Sequence, residues 1–430
     1  MNFESLLRGI LGMAVLVGIL YVLSNNKKAI SWKLVGAGLL TQVIFALLIL
    51  KVTFVQNIFE FISSFFVVIL DFTHKGSDFV FGPIVDMNKI GFTFAFQILP
   101  TIIFFSALTS LFFYFGILQR IVYGLSWLLK KTVKISGAEN LSTTANIFLG
   151  QTEAPLLIKP YIAGMTKSEL FCVMVGGMAN TAGGVLAAYV GFLGGSDPVQ
   201  QLYFAKHLLA ASVMSAPATI VVAKMMIPQT EQVSEEIHVP RDKIGANALE
   251  AVANGTTDGL KLAVNVGAML IVFIALMAMI NYILGHFIGQ VTGLNSYVSD
   301  WTSGRYSELS LQLIFGFICS PIVWLIGVAK EDIFLMGQLL GEKTILNEFV
   351  AYASLAKMKT EGLIQDPKSI LLATYMLSGF ANFSSIGIQI GGIGALAPNK
   401  RSQLAQLGIR ALIGGTIATL MMATLVGIFS

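Results

Sequence analysis

Long apolar runs recur along the whole chain and dominate its pattern of hydrophobic and polar positions. Eight runs are long enough to cross a bilayer, because about 20 apolar residues in helical form span the hydrocarbon core. The predicted spans cover residues 6–23, 32–50, 92–115, 170–193, 202–227, 260–283, 370–393 and 404–429. This pattern predicts an all-α polytopic membrane protein with about eight transmembrane helices.

Three further apolar segments are not simple spans. Residues 55–71 form a short run, and residues 119–134 mix basic side chains, Lys134 among them, with large apolar ones. Both are typical of helices that lie in the membrane interface. Residues 309–328 have the length of a span, but Pro321 interrupts them. The pattern leaves open whether this third segment crosses the membrane or lies in the interface.

Two other apolar segments, residues 141–158 and 333–355, are each split by a polar patch. The polar residues are Gln151, Thr152 and Glu153 in the first segment and Asn347 and Glu348 in the second. Non-helical backbone at membrane depth must be buried in protein or line a cavity, since an unpaired backbone group costs several kcal/mol in lipid. We therefore predict two re-entrant hairpins whose tips meet around water and substrate.

The predicted spans at 170–193 and 370–393 carry helix-weakening runs around Asn180 and Asn382. Each hairpin, with its broken helix and a closing helix, forms one copy of a repeat, and we predict that the two copies are inverted. The predicted division is residues 1–134 as N-terminal scaffold and interfacial helices, 135–228 as the first repeat, 229–330 as connecting loop, scaffold helix and interfacial segment, and 331–430 as the second repeat. The two repeats are predicted to form the transport domain.

Composition agrees with a membrane protein, since 55% of the residues are apolar and 12% are charged, whereas soluble proteins carry about 25% charged residues. The formal net charge of +4 comes from scattered loop lysines and arginines, which set membrane orientation. Nucleic acid is therefore not expected as a partner. No set of His, Cys and carboxylate residues has the spacing of a transition-metal site.

Glu153 and Glu348 are predicted to be the only carboxylates deep in apolar surroundings. A charge at the bilayer centre costs at least about 2.5 to 3.5 kcal/mol, which favours a functional role. The structural alternative is an ion pair with Lys159 or Lys343. Paired carboxylates could also serve as acid and base in an intramembrane enzyme, although no phosphate-binding loop or nucleophile-base pair accompanies them.

Four motifs occur in a fixed order along the chain. They are Gly150-Gln151-Thr152-Glu153-Ala154-Pro155, Asn347-Glu348-Phe349-Val350-Ala351-Tyr352, Gly379-Phe380-Ala381-Asn382-Phe383-Ser384-Ser385 and Ile388-Gln389-Ile390-Gly391-Gly392. From Phe92 onward the chain resembles the concentrative nucleoside transporter family. The resemblance implies a homotrimer of eight-span protomers in the bacterial inner (cytoplasmic) membrane. Each protomer would import a nucleoside with a cation gradient by an elevator-type motion, and would not be an enzyme.

The resemblance also implies which residues bind the nucleoside. Gln151, Thr152 and Val185 would contact the nucleobase, with Glu153 acting through water; Glu348, Asn382 and Ser385 would hold the ribose, with Phe380 packed nearby. The chemistry agrees, because a carboxylate accepts strongly from vicinal hydroxyls and an amide can pair with the edge of a base.

Sodium is the coupling ion that the resemblance implies. Its ligands would come from Asn146 and the carbonyl of Leu149 in the first hairpin and from Asn180 and Thr181 at the first broken helix. Asn180 stands where the family has a small hydroxyl residue, and its longer amide could shift the geometry. Proton coupling is the alternative, because the family also contains proton-driven members.

Overall fold

Helices make up nearly all of the structure. The computed structural model describes residues 3–86, 89, 93–133, 135–234, 236, 245–302, 304 and 306–430, and these contain no β-strand. Eight helical segments among them are long and apolar enough to cross a membrane. The all-α polytopic architecture predicted from the sequence is confirmed.

Five long helices precede the first hairpin among the described residues. They are α1 (Phe3–Val22), α2 (Trp32–Lys51), α3 (Thr53–Phe81), α4 (Leu99–Tyr114) and α5 (Ile117–Thr132). A short helical turn, Phe94–Gln97, precedes α4. The predicted span boundary at Phe92 and the basic residue Lys134 lie outside the described residues.

The same order of elements follows twice: a hairpin, a broken helix and a long closing helix. In the first half these are α6 (Gly137–Ala145) with the turn Ala154–Ile158, then α7 (Lys167–Ala179), α8 (Gly183–Gly194) and α9 (Pro198–Met226). The connecting helices are α10 (Ala248–Tyr282), α11 (Leu294–Trp301) and α12 (Leu311–Leu325). The second half contains α13 (Ile333–Ile345), α14 (Glu348–Thr360), α15 (Pro367–Leu377), α16 (Phe383–Leu396) and α17 (Arg401–Phe429).

Two helices of the first repeat begin where side chains can accept from their free N–H groups. Ser136 and Glu139 form a capping box at α6, and Thr166 and Glu169 form another at α7. Each box satisfies two backbone donors that would otherwise lack partners. These caps fix where the first hairpin and the first broken helix start.

The prediction of a short helix at residues 55–71 was wrong in its length. The helix α3 has 29 residues, about 43 Å at 1.5 Å per residue, and it is apolar and long enough to cross a membrane. Its polar residues past position 70 lie within the helix rather than at its end, and the helix ends only at Gly82, which has a positive φ of 60°.

The ambiguous segment at residues 309–328 forms α12, which runs through Pro321 and has 15 residues. This length is about 22 Å, shorter than the hydrocarbon core of about 30 Å. The length favours an interfacial position over a full span. The connecting loop predicted to begin at residue 229 is described only in part, and α10 already begins at Ala248.

The broken helices and closing helices pack against one another to form the centre of the protein. α7, α9 and α15 each contact α17, while α10 packs against α4 and α12 packs against α13. α9 and α17 are buried along most of their length, whereas α10 is largely exposed. The elements of the two repeats therefore form one buried bundle, with α10 beside it.

The prediction that Glu153 and Glu348 are the only deeply placed carboxylates was wrong. Glu139, Asp332 and Glu342 are also buried, whereas Glu153 is exposed. Glu139 pairs with the buried Lys224 of α9, whose ammonium also donates to Ser168 Oγ at 2.9 Å. Asp332 accepts from the backbone N–H groups of residues 365 and 366 at 2.9 and 3.0 Å. Glu139 and Asp332 are therefore held by partners that lie far away in sequence.

Candidate functional site

The first hairpin turns at residues 146–153, where the helix α6 ends and no regular helix follows. Gln151 is buried at this tip, and its Nε2 donates to Ser385 Oγ in α16 at 3.2 Å. Glu153 folds back to accept a hydrogen bond from the backbone N–H of Gly150. The first tip therefore presents an amide and a carboxylate next to the second half of the chain.

The second hairpin turns sharply at Leu346 and Asn347, between α13 and α14. Asn347 caps α14, since its Oδ1 accepts from Val350 N at 2.9 Å. Glu348 is thereby placed in the first turn of α14, where the helix dipole stabilises a negative charge. This buried carboxylate accepts from Asn382 Nδ2 at 2.6 Å.

The second broken helix is interrupted at residues 378–382, and Asn382 starts the next helix. Its Oδ1 accepts from Ser385 N at 2.9 Å and from Ser384 Oγ at 2.7 Å, while its amide nitrogen holds Glu348. The same side chain thus ends the break and joins it to the second hairpin.

A cavity of about 250 Å³ lies between the two tips and the two breaks. All eight residues predicted to bind substrate line it: Gln151, Thr152, Glu153, Val185, Glu348, Phe380, Asn382 and Ser385. Their positions are spread over more than 230 residues of sequence, so only the fold brings them together. Polar groups at the tips and apolar side chains between them give the cavity a mixed lining.

The Gln151 side chain has one end without a partner. Its Oε1 is buried and accepts no hydrogen bond within the described part of the chain, although its Nε2 is engaged. An unpaired buried acceptor costs roughly 1 to 3 kcal/mol, and a donor from a ligand in the adjoining cavity would remove that cost. This oxygen is therefore placed to accept a hydrogen bond from a ligand in the cavity.

The first tip packs tightly against α7 and α16 through glycines. A Cβ on Gly177 would lie 2.7 Å from Gln389 Nε2 and 2.8 Å from Gln151 Cβ, and one on Gly392 would lie 2.7 Å from Thr152 Cγ2. Gln389 also donates to Met174 O at 2.9 Å. Glycine at these two positions permits the contact that fixes the first tip.

The sequence reasoning missed part of the cavity wall. Leu262, Asn265, Val266 and Met269 of α10 also line it, together with Ser384. A signal was present for Asn265, because it is an amide within a long apolar run. The face that α10 turns to the cavity was not visible from the sequence, since it depends on how α10 packs.

The sequence left open that Glu153 and Glu348 form structural ion pairs with Lys159 or Lys343. Neither Lys159 nor Lys343 forms an ion pair with Glu153 or Glu348 within the described residues. Lys343 instead donates to Met376 O and Thr419 Oγ1. Neither carboxylate at the cavity therefore forms a direct ion pair with any lysine that the structure describes.

The four residues predicted to bind sodium lie together at the first tip and first break. Asn180 Nδ2 donates to the backbone carbonyl of Asn146 at 2.7 Å, and Asn180 Oδ1 accepts from Thr181 N at 2.9 Å. The amide nitrogen thus faces a carbonyl at the place where a cation would need oxygen atoms. Asn180 Nδ2 also donates to Ser212 O at 3.4 Å, so this donor set does not fit a sodium ion unless the Asn180 side chain rotates and breaks all three hydrogen bonds.

Sequence profiles of one transporter family match almost the entire chain. “Na+ dependent nucleoside transporter N-terminus” matches residues 11–84, “Nucleoside recognition” matches residues 95–196, and “Na+ dependent nucleoside transporter C-terminus” matches residues 207–427. The chain belongs to the Na+-dependent nucleoside transporter family. The resemblance seen in the four motifs is confirmed.

Relatives of this family member occur in bacteria and mammals. An uncharacterized transporter of Haemophilus influenzae is 44% identical over 430 residues, covering 99% of this chain and 98% of the relative. Nucleoside permease NupC of Helicobacter pylori is 37% identical, with 100% and 99% coverage. Human sodium/nucleoside cotransporter 1 is 37% identical over 97% of this chain, which spans 63% of that longer protein.

Solved structures of a related transporter share the fold. CNTnw in an inward-facing substrate-bound state is 36% identical and superposes with a TM-score of 0.88. The match covers 98% of this chain and 98% of CNTnw. A CNTnw variant in an outward-facing state gives a TM-score of 0.86 at 36% identity, with 99% of this chain and 97% of the variant covered. The fold of this family member is therefore that of CNTnw.

Proposed function

We propose that this chain is a secondary active transporter that imports nucleosides with a cation gradient. The observation that carries the proposal is the cavity between the two tips, where Gln151 Oε1 lacks a partner and Glu348 is held in place by Asn382. Membership of the Na+-dependent nucleoside transporter family supports the substrate class.

Two sets of side chains in the cavity suit the two parts of a nucleoside. Gln151, Thr152 and Val185 offer an amide, a hydroxyl and an apolar surface for a base, with Glu153 reaching the base through water. The Glu348 carboxylate would accept from ribose hydroxyls, with Asn382, Ser385 and Phe380 lining the cavity beside it. A carboxylate is the strongest acceptor available for such donors.

Sodium is the coupling ion that family membership favours, and the sodium/nucleoside cotransporters of mammals are relatives. Its proposed ligands are Asn146, Leu149, Asn180 and Thr181. The contact between Asn180 Nδ2 and the Asn146 carbonyl favours a second candidate, a proton-coupled symporter. In that case the amide would hold the first break together without a metal ion.

The mechanism that we propose is an elevator-type motion in which both repeats, residues 135–228 and 331–430, move together past a scaffold formed by residues 1–134 and 229–330. The packing of α7, α9, α15 and α17 into one bundle supports a joint movement of the repeats. Inverted orientation of the repeats, a homotrimeric assembly and location in a bacterial inner membrane belong to the same proposal.

An enzymatic function is the alternative from a different class. Within the described residues no group of three or more His, Cys, Asp and Glu side chains is placed to hold a metal ion, and Glu153 and Glu348 already lie in a cavity that suits a nucleoside. Recovery of a nucleoside chemically unchanged after uptake would exclude catalysis on that substrate.

Uptake into proteoliposomes tests the proposal. Radiolabelled uridine and adenosine are offered with an inward sodium gradient, with potassium in its place at constant pH, or with an inward proton gradient without sodium. We expect saturable uptake that rises with one of the two gradients. Uptake that ignores both gradients would show a facilitator, and no uptake of any nucleoside from a panel would refute the substrate class.

A further inference from the structure

Lys343 is a buried lysine that the proposed transport mechanism does not use. It lies in the last turn of α13, one turn before the second tip, and has no exposed surface. Its Nζ donates to Met376 O at 2.8 Å and to Thr419 Oγ1 at 3.1 Å. Both acceptors are neutral, and no ion pair in the described chain includes this lysine. A lysine kept at membrane depth without a direct ion pair is costly, which points to a function.

The ammonium group completes the hydrogen bonding at the end of α15. Helix ends leave four backbone carbonyls without intrahelical partners. Those of α15 accept as follows: Thr374 O from the Tyr352 hydroxyl at 2.7 Å, Tyr375 O from Ser378 N at 3.3 Å, Met376 O from Lys343, and Leu377 O from Gly379 N at 2.7 Å. Lys343 therefore lies where the helix dipole is negative and a cation is favoured.

The first repeat contains a matching place that lacks a basic side chain. A Cβ on Gly176 in α7 would lie 3.1 Å from Asn146 Nδ2 and 3.4 Å from Thr219 Cγ2, so these three residues are neighbours. Gly176 and Thr219 precede Met376 and Thr419 by the same number of positions. Residues 137–158 of the first hairpin contain no lysine or arginine. By this spacing, Asn146 neighbours the first-repeat counterparts of the two residues that accept from Lys343.

We propose that Lys343 is a tethered cation that holds the second broken helix in the conformation that binds substrate. The comparison of the Lys343 ammonium with a coupling ion bound beside Asn146 rests on the proposed function. The inference that Lys343 stabilises the end of α15 rests on its hydrogen bond to Met376 O. Asn382, which holds Glu348, lies just beyond this break. The positive charge at Met376 therefore positions the residues that receive the ribose, and the second repeat needs no exchangeable ion.

Substitution of Lys343 tests whether the charge is needed. Lys343→Met keeps much of the length and removes the ammonium, and we expect uridine binding to the purified protein to weaken at least about tenfold, the loss of one charged hydrogen bond. Lys343→Arg should retain most of the affinity. Thr419→Val is the matched control, because it removes one acceptor and leaves the ammonium at Met376 O; its loss should be clearly smaller. Parental affinity in Lys343→Met would overturn the proposal.

Chemical rescue of uridine binding distinguishes the effect of the Lys343 charge from the effect of its side-chain volume. In Lys343→Ala, propylammonium should restore uridine binding in a saturable manner, while the neutral propanol should not. Equal rescue by both compounds would show that only volume matters and would overturn the proposal. If Lys343→Met does not fold, Lys343→Ala is purified with and without propylammonium. Folded Lys343→Ala protein that is obtained only in the presence of the amine supports the proposal. Failure to obtain folded protein in its presence refutes the proposal.

A readout without substrate distinguishes this inference from the proposed function. Amide hydrogen exchange at residues 378–382 should be faster in Lys343→Met than in the parent and Thr419→Val, and propylammonium should slow it in Lys343→Ala. A parent protein that binds no nucleoside but shows these exchange changes would refute only the transport proposal. A parent that binds uridine, with unchanged exchange and affinity in Lys343→Met, would refute only the role of the lysine.

Discussion

The amide of Asn382 is engaged at both ends before any ligand arrives. Its oxygen caps α16 and its nitrogen donates to Glu348. Glu348 accepts this bond through Oε2, and because a carboxylate offers about four lone-pair sites, it keeps capacity for further donors. At the scale of single residues, Asn382 therefore serves to aim the carboxylate, and Glu348 is the group left to receive hydroxyls.

Glu348→Gln should weaken uridine binding by about 10- to 100-fold, because it replaces a charged acceptor by a neutral one of the same shape. The loss should be smaller for 2′,3′-dideoxyuridine, which lacks the two hydroxyls that the carboxylate would accept from. Binding to the purified variant, with thermal unfolding as a control for folding, checks this expectation. Equal losses for both nucleosides would contradict a ribose contact.

Asn180→Ser should increase the response of uptake to sodium. The shorter side chain cannot donate to the Asn146 carbonyl as Asn180 Nδ2 does at 2.7 Å, and this frees an oxygen for a hard cation. Uptake is measured over a sodium titration at constant pH, with potassium keeping the ionic strength constant. A sodium response identical to that of the parent would show that Asn180 does not control access to the ion.

The two hairpin tips are held in place by different kinds of contact. The first tip is wedged between α7 and α16 by contacts that require glycine, whereas the second tip is held by asparagine caps and hydrogen bonds. Packing contacts of the first kind respond to added volume, and hydrogen bonds of the second kind respond to lost polarity. Substitutions that add volume should therefore disrupt the first tip, and substitutions that remove polar groups should disrupt the second.

Gly177→Ala should lower stability by roughly 1 to 3 kcal/mol and reduce uptake, because the new methyl group overpacks the contact with Gln151 and Gln389. The matched control is Gly36→Ala in α2, where a Cβ would meet nothing within 4 Å; there the better helix propensity of alanine should leave stability unchanged or slightly higher. Thermal unfolding in detergent compares the two variants. Equal behaviour would rule out a tight contact at the first tip.

Sequence reasoning found the elements whose signals are local. The hairpins and breaks were visible because Gln151, Glu348, Asn180 and Asn382 interrupt apolar runs. The full length of α3 was missed because its later polar residues resemble a helix end, although no cap or breaker stops the helix before Gly82. Polar residues alone do not end a helix.

Burial of individual carboxylates depends on partners that are distant in sequence, and this part could not be predicted. Glu139 is buried because Lys224 reaches it across 85 residues, and Asp332 because backbone donors come from residues 365 and 366. Glu153 looked deeply buried from its apolar neighbours, yet the turn of the first tip leaves it exposed. The polar tips and breaks were found from their chemistry and the remaining site residues from the family resemblance, while their environment required the fold.

At the scale of the whole molecule, the cavity joins a buried bundle to the more exposed helix α10. Thr152 of the first tip and Met269 of α10 both line it. In an elevator-type mechanism the first would move and the second would not, so the distance between them would change in every transport cycle. The two positions therefore test whether the bundle moves relative to α10.

Cross-linking of cysteines placed at Thr152 and Met269 should abolish nucleoside uptake. Cys172 and Cys319, the two native free cysteines, are first replaced by alanine, and a short bis-maleimide is then added. Uptake into proteoliposomes before and after treatment gives the result, with each single-cysteine variant as control. Full uptake by quantitatively cross-linked protein would exclude relative movement of these two elements.

The buried pair of Glu139 and Lys224 has a consequence for biosynthesis. The carboxylate is made 85 residues before its partner, an interval of about 4 to 17 s at ordinary rates of translation. During this time a lone charge in lipid would be costly, so we expect α6 to wait at the translocon until α9 has emerged. The first hairpin would then enter the bilayer together with the helix that neutralises it, rather than in the order of synthesis.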